Sequence, residues 1–127
     1  MNVPEDLRYT SDHEWARSED GGGLRIGITD YAQDALGDIV FVQLPEPGSK
    51  VTAGESFAEV ESTKSVSDIF APVSGTVGEI NQDLADSPQR LNEDPYGEGW
   101  LCVIVPDEDA DTEGLLDAES YRKLIES

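Results

Sequence analysis

The chain has one cysteine, one methionine and one histidine in 127 residues, and three lysines against 28 acidic residues. Each scarcity excludes something. The lone cysteine, Cys102, forbids an internal disulfide and any thiolate cluster for zinc or iron–sulfur, and the lone histidine, His13, cannot build a metal site. No metal is expected. The longest apolar runs, DIVFVQL and WLCVIV, are strand-length and fall far short of the roughly 20 residues that span a bilayer. The opening MNVPEDLRYTSDHEW carries neither the basic start nor the apolar core of a secretory leader, so a cytoplasmic location is the expectation. A net charge of -20 leaves no basic patch for nucleic acid or an anionic membrane, and both partner classes drop out.

What is abundant is acid, and it is spread from SEDGGG to PDEDADTEG alongside regular apolar runs that a disordered acidic tail would lack. Such a surface suits molar salt. There the Debye length is about 3 Å, self-repulsion is screened, and a hydrated acidic shell keeps the protein dissolved. A halophilic origin is the expectation.

Along the chain, a strand after LRYTSDHEW turns at Gly21, Gly22 and Gly23 into a second strand, LRIGI, giving a hairpin with a loose tip. TDYAQDALG reads as a short helix with Asp30 as cap, Gln33 at capping-box spacing, Gly37 as left-handed stop, and Tyr31, Ala35 and Leu36 facing the body. Strand-length runs follow, DIVFVQL, ESFAEVES, SVSDIFAP, GTVGEI and GWLCVIV, punctuated by Pro and Gly. The end, LLDAESYRKLIES, spaces Ala118, Tyr121, Leu124 and Ile125 at helical intervals behind a candidate cap, Asp117. The length fits one domain over residues 1–127, mainly β, with a short helix in its N-terminal half and a C-terminal helix. Two echoes, Pro45/Gly48 with Pro72/Gly75 and Gly54-Glu55-Ser56-Phe57 with Gly97-Glu98-Gly99-Trp100, recur in the same order and suggest two related half-sandwiches.

Within VESTKSVSDIF, Val60 to Phe70, two strand-like runs leave Thr63 and Lys64 between them, so Lys64 stands at a hairpin tip. Any exposed tip tolerates lysine. Here, however, the surface otherwise replaces lysine with acid, regular strands hold the tip, and the lysine lies at the junction of the half-repeats. An accessible amine on a rigid support is what an acylating enzyme needs. Nothing in the neighbouring sequence would desolvate it as a catalytic base requires.

At this point five blocks in order, YTSDHEW, IGITDYAQDALGDIVFVQLPEPG, ESTKSVSDIFAPVSGTVGEIN, YGEGWL and AESYRKLI, resemble the H-protein family of the glycine cleavage system, nearly end to end. The resemblance implies a barrel-sandwich hybrid of the lipoyl/biotinyl-carrier type, with lipoate attached covalently to Lys64. Thr63 and Ser65 replace the hydrophobic and alanine neighbours common in that family. The implied function is that of a shuttle and not an enzyme. The arm takes an aminomethyl group from the pyridoxal-phosphate glycine decarboxylase (P protein), presents it to the aminomethyltransferase (T protein), and is reoxidised by dihydrolipoyl dehydrogenase (L protein). A lipoate ligase or the lipoyl synthase pathway would load it.

A loaded arm carries a hydrolysable group with a cationic amine, so a carrier should shield it and offer carboxylates. The candidates within family-like blocks are Glu14 and Asp12, in SDHEW, and Asp68, four residues beyond the lysine; any of them is equally readable as one of 28 surface acids. His13 reads as a packed or hydrogen-bonded histidine, Cys102 as a buried small hydrophobe, and Trp15 and Trp100 as core aromatics. Gly97 and Gly99 read as turn residues, since no helix or lysine follows them to make a phosphate loop. Among rivals, a biotin carrier would flank its lysine with methionines, and the sole methionine here is Met1. A lipoyl domain of a 2-oxo-acid dehydrogenase would lack YTSDHEW and the C-terminal helix, whereas a lipoyl-relay protein needs the same modified lysine. No acid–base pair or nucleophile triad points to an enzyme.

Overall fold

A computed structural model of the chain describes residues 2–19, 21–108 and 114–126. The apolar runs form two antiparallel sheets. One has the order β1 (Arg8–Tyr9), β2 (Glu14–Ser18), β3 (Leu24–Ile28), β9 (Cys102–Pro106), β8 (Gly75–Ile80) and β5 (Lys50–Val51); the other has β4 (Ile39–Gln43), β6 (Ser56–Ser62) and β7 (Val66–Phe70). This is the expected mainly β barrel-sandwich. The internal echoes have a structural meaning: the Pro45 and Pro72 turns lead into β5 and β8, which pair through Lys50 with Thr76 and Val51 with Gly75. The Gly54 and Gly97 turns lead into β6 and β9, one in each sheet.

Alternation along the strands buries one face of each sheet. Ile26, Val77, Cys102 and Ile104 pack with Ala71 and Val73 in one cluster, while Ile28, Ile39, Val60 and Ile69 pack with Leu84, Leu91 and Leu101 in a second. Burial pushes the Cys102 thiol up to about 12, so it is inert as a nucleophile. A third cluster gathers Tyr9, Trp15 and Tyr121. The Trp15 Nε1–H donates to the Pro95 carbonyl at 2.9 Å. Its indole lies over Gly27, its partner across the ladder, where a Cβ would fall 2.5 Å from the ring. Trp100 is only half-buried, with the Arg25 guanidinium 4.4 Å from its ring centre.

Helix α1 (Asp30–Leu36) forms where expected but is capped differently. Thr29, fully buried, accepts from the Ala32 N–H at 3.2 Å, and Asp30 falls inside the first turn, where its Oδ1 accepts from the Gln33 side chain. Threonine wins because its short hydroxyl reaches the helix N–H from an extended backbone, φ -78 and ψ 166. Gly37 ends the helix at φ 81. Ala32 and Leu36 pack on the second cluster, whereas Ala35 is exposed, because the face toward the sheets runs one position later than Tyr31 and Ala35, where the sequence reading placed it. Two short helices, α2 (Asp83–Asp86) and α3 (Arg90–Glu93), were not expected from a stretch too short to show periodicity; each fixes one fully buried leucine, Leu84 and Leu91. In α4 (Ala118–Glu126), Asp117 caps through its Oδ1, 2.8 Å from the Ser120 N–H, and Tyr121 is buried. Asp109 to Glu113 of the acidic connector lie outside the described residues. No helix among those described is long and apolar enough to cross a membrane.

Candidate functional site

The β6–β7 hairpin puts Thr63, Lys64 and Ser65 at an exposed tip beyond its last paired residues, Glu61 and Val66. Ser62, buried at the base, organises the turn. Its Oγ accepts from the Lys64 and Ser65 N–H groups, both at 3.1 Å, and its own N–H donates to the Ser65 carbonyl at 2.8 Å. One further bond ties the tip to the body, from the Thr63 N–H to the Asp38 carbonyl at 3.1 Å. The Lys64 methylenes lie over Gly37, where a Cβ would approach Lys64 Cε to 3.2 Å.

From Gly37 the side of α1 runs beside β7, and between them lies a cleft of about 150 Å³. Ile28, Ala32, Leu36 and Ile69 give it an apolar wall, and Asp12, Ser67 and Asp68 a polar rim. His13 and Tyr31 also face it, their rings 4.6 Å apart. Of the three acids singled out in the sequence, the fold thus brings Asp12 and Asp68 to one cleft. Glu14 sits behind its wall and does not line it.

Glu14 is 1% exposed at the start of β2. Its Oε1 accepts from the Thr10 hydroxyl at 2.7 Å and its Oε2 from the Phe70 N–H at 3.4 Å, so a buried carboxyl links the large sheet to the end of β7. Burial, reinforced by repulsion from Asp12, pushes its pKa up to about 7 against the pull of the Thr10 and Phe70 bonds. His13 adopts φ 69, and its Nδ1 lies 2.8 Å from the Tyr121 hydroxyl, which is also 2.7 Å from the Thr29 hydroxyl. The C-terminal helix therefore fixes one flank of the cleft. Burial lowers the His13 pKa, and Asp12 opposes this only in part, so the ring is neutral at neutral pH. The expected hydrogen-bonded histidine is what the fold contains.

Sequence reasoning missed four contributors: Ser62, Ser67, Tyr31 as a cleft residue, and Asn92. A signal existed for Ser62, since a Ser three residues before Ser65 has the spacing of a side-chain-closed turn. Asn92 gave none, because its partners Gly37 and Ile39 are far away in sequence.

Comparison with known proteins places this geometry. Residues 7–127 match the family described as Glycine cleavage H-protein. A glycine cleavage system H protein of Anaeromyxobacter sp. (strain K) is 54% identical over 126 residues, covering 99% of this chain and 98% of that one. That of Mycobacterium avium (strain 104) is 59% identical over 128 residues, covering 98% and 97%. The crystal structure of a glycine cleavage system H protein from Mycobacterium marinum superposes with a TM-score of 0.87 at 47% identity, covering 98% of this chain and 100% of that one. With its sheets, hairpin and terminal helix all inside that match, the chain belongs to the glycine cleavage H-protein family.

Proposed function

We propose that this chain is the lipoyl-bearing shuttle of a glycine cleavage system, with the arm attached at Lys64, working between the P, T and L proteins in the cytoplasm after loading by a lipoate ligase or the lipoyl synthase pathway. Family membership makes it a carrier and not a catalyst. The observation that carries the site assignment is the hairpin tip. Among the three lysines, Lys64 alone combines exposure, a turn closed by Ser62, and a stem lying over Gly37, the residue that follows Leu36 of the cleft wall, whereas Lys50 pairs with Asp107 and Lys123 lies in α4. Relatives matched over nearly their whole length, at both ends of this chain, favour this reading over a lipoyl module of a 2-oxo-acid dehydrogenase or a lipoyl relay.

The residues fit the group. Gly37 leaves room under the Lys64 stem that a Cβ would narrow, and the neighbouring cleft combines an apolar wall with an acidic rim, suited to an aliphatic arm ending in a cation. When bound, a lipoyl group supplies a disulfide that can be opened to carry an aminomethyl group and closed again by oxidation. The chain does the rest. Lys64 Nζ provides the attachment point, while Ile28, Ala32, Leu36 and Ile69 exclude water. Asp12 and Asp68 hold a cationic amine by charge-assisted hydrogen bonds, and Ser67 adds a neutral partner. Glu14, behind the wall, holds the start of β2 to the end of β7 through Thr10 and Phe70 and so supports the cleft without lining it.

Intact mass before and after treatment with lipoate, ATP and a lipoate ligase tests the assignment. The wild type gains one lipoyl group and Lys64→Arg, which keeps the charge, gains none. A lipoyl gain by the variant would refute it.

A further inference from the structure

Asn92, on the short helix α3, makes an unusual set of bonds for a half-buried surface residue. Its Nδ2 donates to the Gly37 carbonyl at 2.8 Å and to Gln33 Oε1 at 3.1 Å, and its Oδ1 accepts from the Ile39 N–H at 2.9 Å. The side-chain amide thus brackets Asp38 from both sides, as the backbone of a neighbouring strand would. Asp38 is the residue whose carbonyl accepts from the Thr63 N–H at 3.1 Å, the one backbone tie between the hairpin tip and the body among the described residues. Gly37, held by the same bracket, is the floor under the Lys64 stem. Helix α3 is itself anchored, since the neighbouring Leu91 is fully buried.

The segment needs a bracket for local reasons. Gly37 has φ 81, neither it nor Asp38 belongs to a ladder, and β4 enters its ladder at Ile39, opposite Ser62, with an irregular register between Ile39 and Phe41, so 37–38 has no ladder partner of its own. Without Asn92, two main-chain groups and Gln33 lose their partner together.

We infer that Asn92 is a positioning residue for modification of Lys64. Acting through Asp38 and Thr63, it holds the tip in the conformation an acyl-transferring enzyme docks. The step it serves is the attack of Lys64 Nζ on an activated lipoyl acyl donor such as an acyl adenylate: the amide bond forms, the adenylate leaves with the electron pair of the broken bond, and the amine proton goes to solvent. This deepens the carrier reading and rests on it. A tip ordered before docking spares the enzyme the entropic cost of ordering it, so loss of the bracket raises KM for the apo-protein and leaves kcat in place.

The test uses the full chain with Asn92→Ala and Asn92→Asp; the second keeps size and the acceptor for Ile39 but cannot donate to Gly37. Amide hydrogen exchange on unmodified protein comes first. The Thr63 amide exchanges about fivefold faster or more in both variants, as expected for loss of a tether worth an ordinary hydrogen bond, while the amide of buried Val60 is unchanged. Steady-state loading with lipoate, ATP and a lipoate ligase then shows KM raised about fivefold with kcat unchanged. Unchanged exchange at Thr63, equal acceleration at Thr63 and Val60, or an unaltered KM would overturn the inference. If wild-type Lys64 accepts no lipoyl group at all, the carrier reading and the modification role fall together, and the exchange measurement still shows whether Asn92 tethers the tip.

Discussion

Replacing the buried Glu14 by glutamine gives a stability change whose sign depends on pH. The carboxyl titrates at about 7 in the folded chain against 4.5 ordinarily, so ionising it costs the folded state about 3 kcal/mol. The folded state holds the proton more tightly than the unfolded one. Stability from this group is therefore full below pH 4.5 and is lost as pH rises through 7. Glutamine never ionises, but it has one acceptor oxygen to satisfy both Thr10 and Phe70, a loss of about 1 kcal/mol. The net expectation is that Glu14→Gln is more stable than wild type by about 2 kcal/mol at pH 8, roughly 8 °C in Tm for a chain of this size, and no more stable at pH 5. Thermal unfolding of both proteins at the two pH values in the same 1 M salt measures this, and taking the difference between proteins removes the titration of the other acids. A difference of equal size at pH 5 and pH 8 would show that the Glu14 environment is wetter than its burial implies.

Three further outcomes follow from other parts of the molecule. Asp68→Asn leaves loading of Lys64 intact but speeds hydrolytic loss of a bound aminomethyl group about tenfold, for about 1.4 kcal/mol of lost charge-assisted bonding; decay of the loaded mass against wild type checks it. Gly27→Ala drives a Cβ into the Trp15 indole and lowers stability by about 1–3 kcal/mol, visible in urea unfolding followed by tryptophan fluorescence. The net charge of -20 makes Tm rise clearly between 0.1 M and 1 M salt, as the screening length falls from about 10 Å to about 3 Å, and a flat profile would remove the halophile reading while leaving the carrier one.

The strands and the tip lysine were legible because their signals are local: apolar runs bounded by Pro and Gly, and a break of two polar residues inside one hairpin. Asp30 failed as the helix cap because Thr29 and Asp30 are adjacent residues of equal capping chemistry, and only the backbone conformation separates them. The site was half legible. Asp12 and Asp68 could be named as acids near the right blocks, but that they share a cleft and Glu14 does not depends on how β2, β7 and α1 meet in space. The Tyr121 bond to His13 joins residues near opposite ends of the chain, a pairing that no pattern within a window contains.

The position of β9 between β3 and β8 bears on the order in which a growing chain acquires its shape. The three-stranded sheet is complete by Phe70 and is built on the near-neighbour β6–β7 hairpin, so it can zip while synthesis continues. The six-stranded sheet waits for its inner strand: until Cys102–Pro106 is made, the β1–β2–β3 ladder and the β8–β5 ladder have no common member. The lysine on the hairpin thus exists as a loop long before the body behind it does. Because the bracket for that loop comes from residue 92, in the helix before the last strand, an enzyme that modified Lys64 as proposed and selected a firmly held tip would discriminate against unfinished chains.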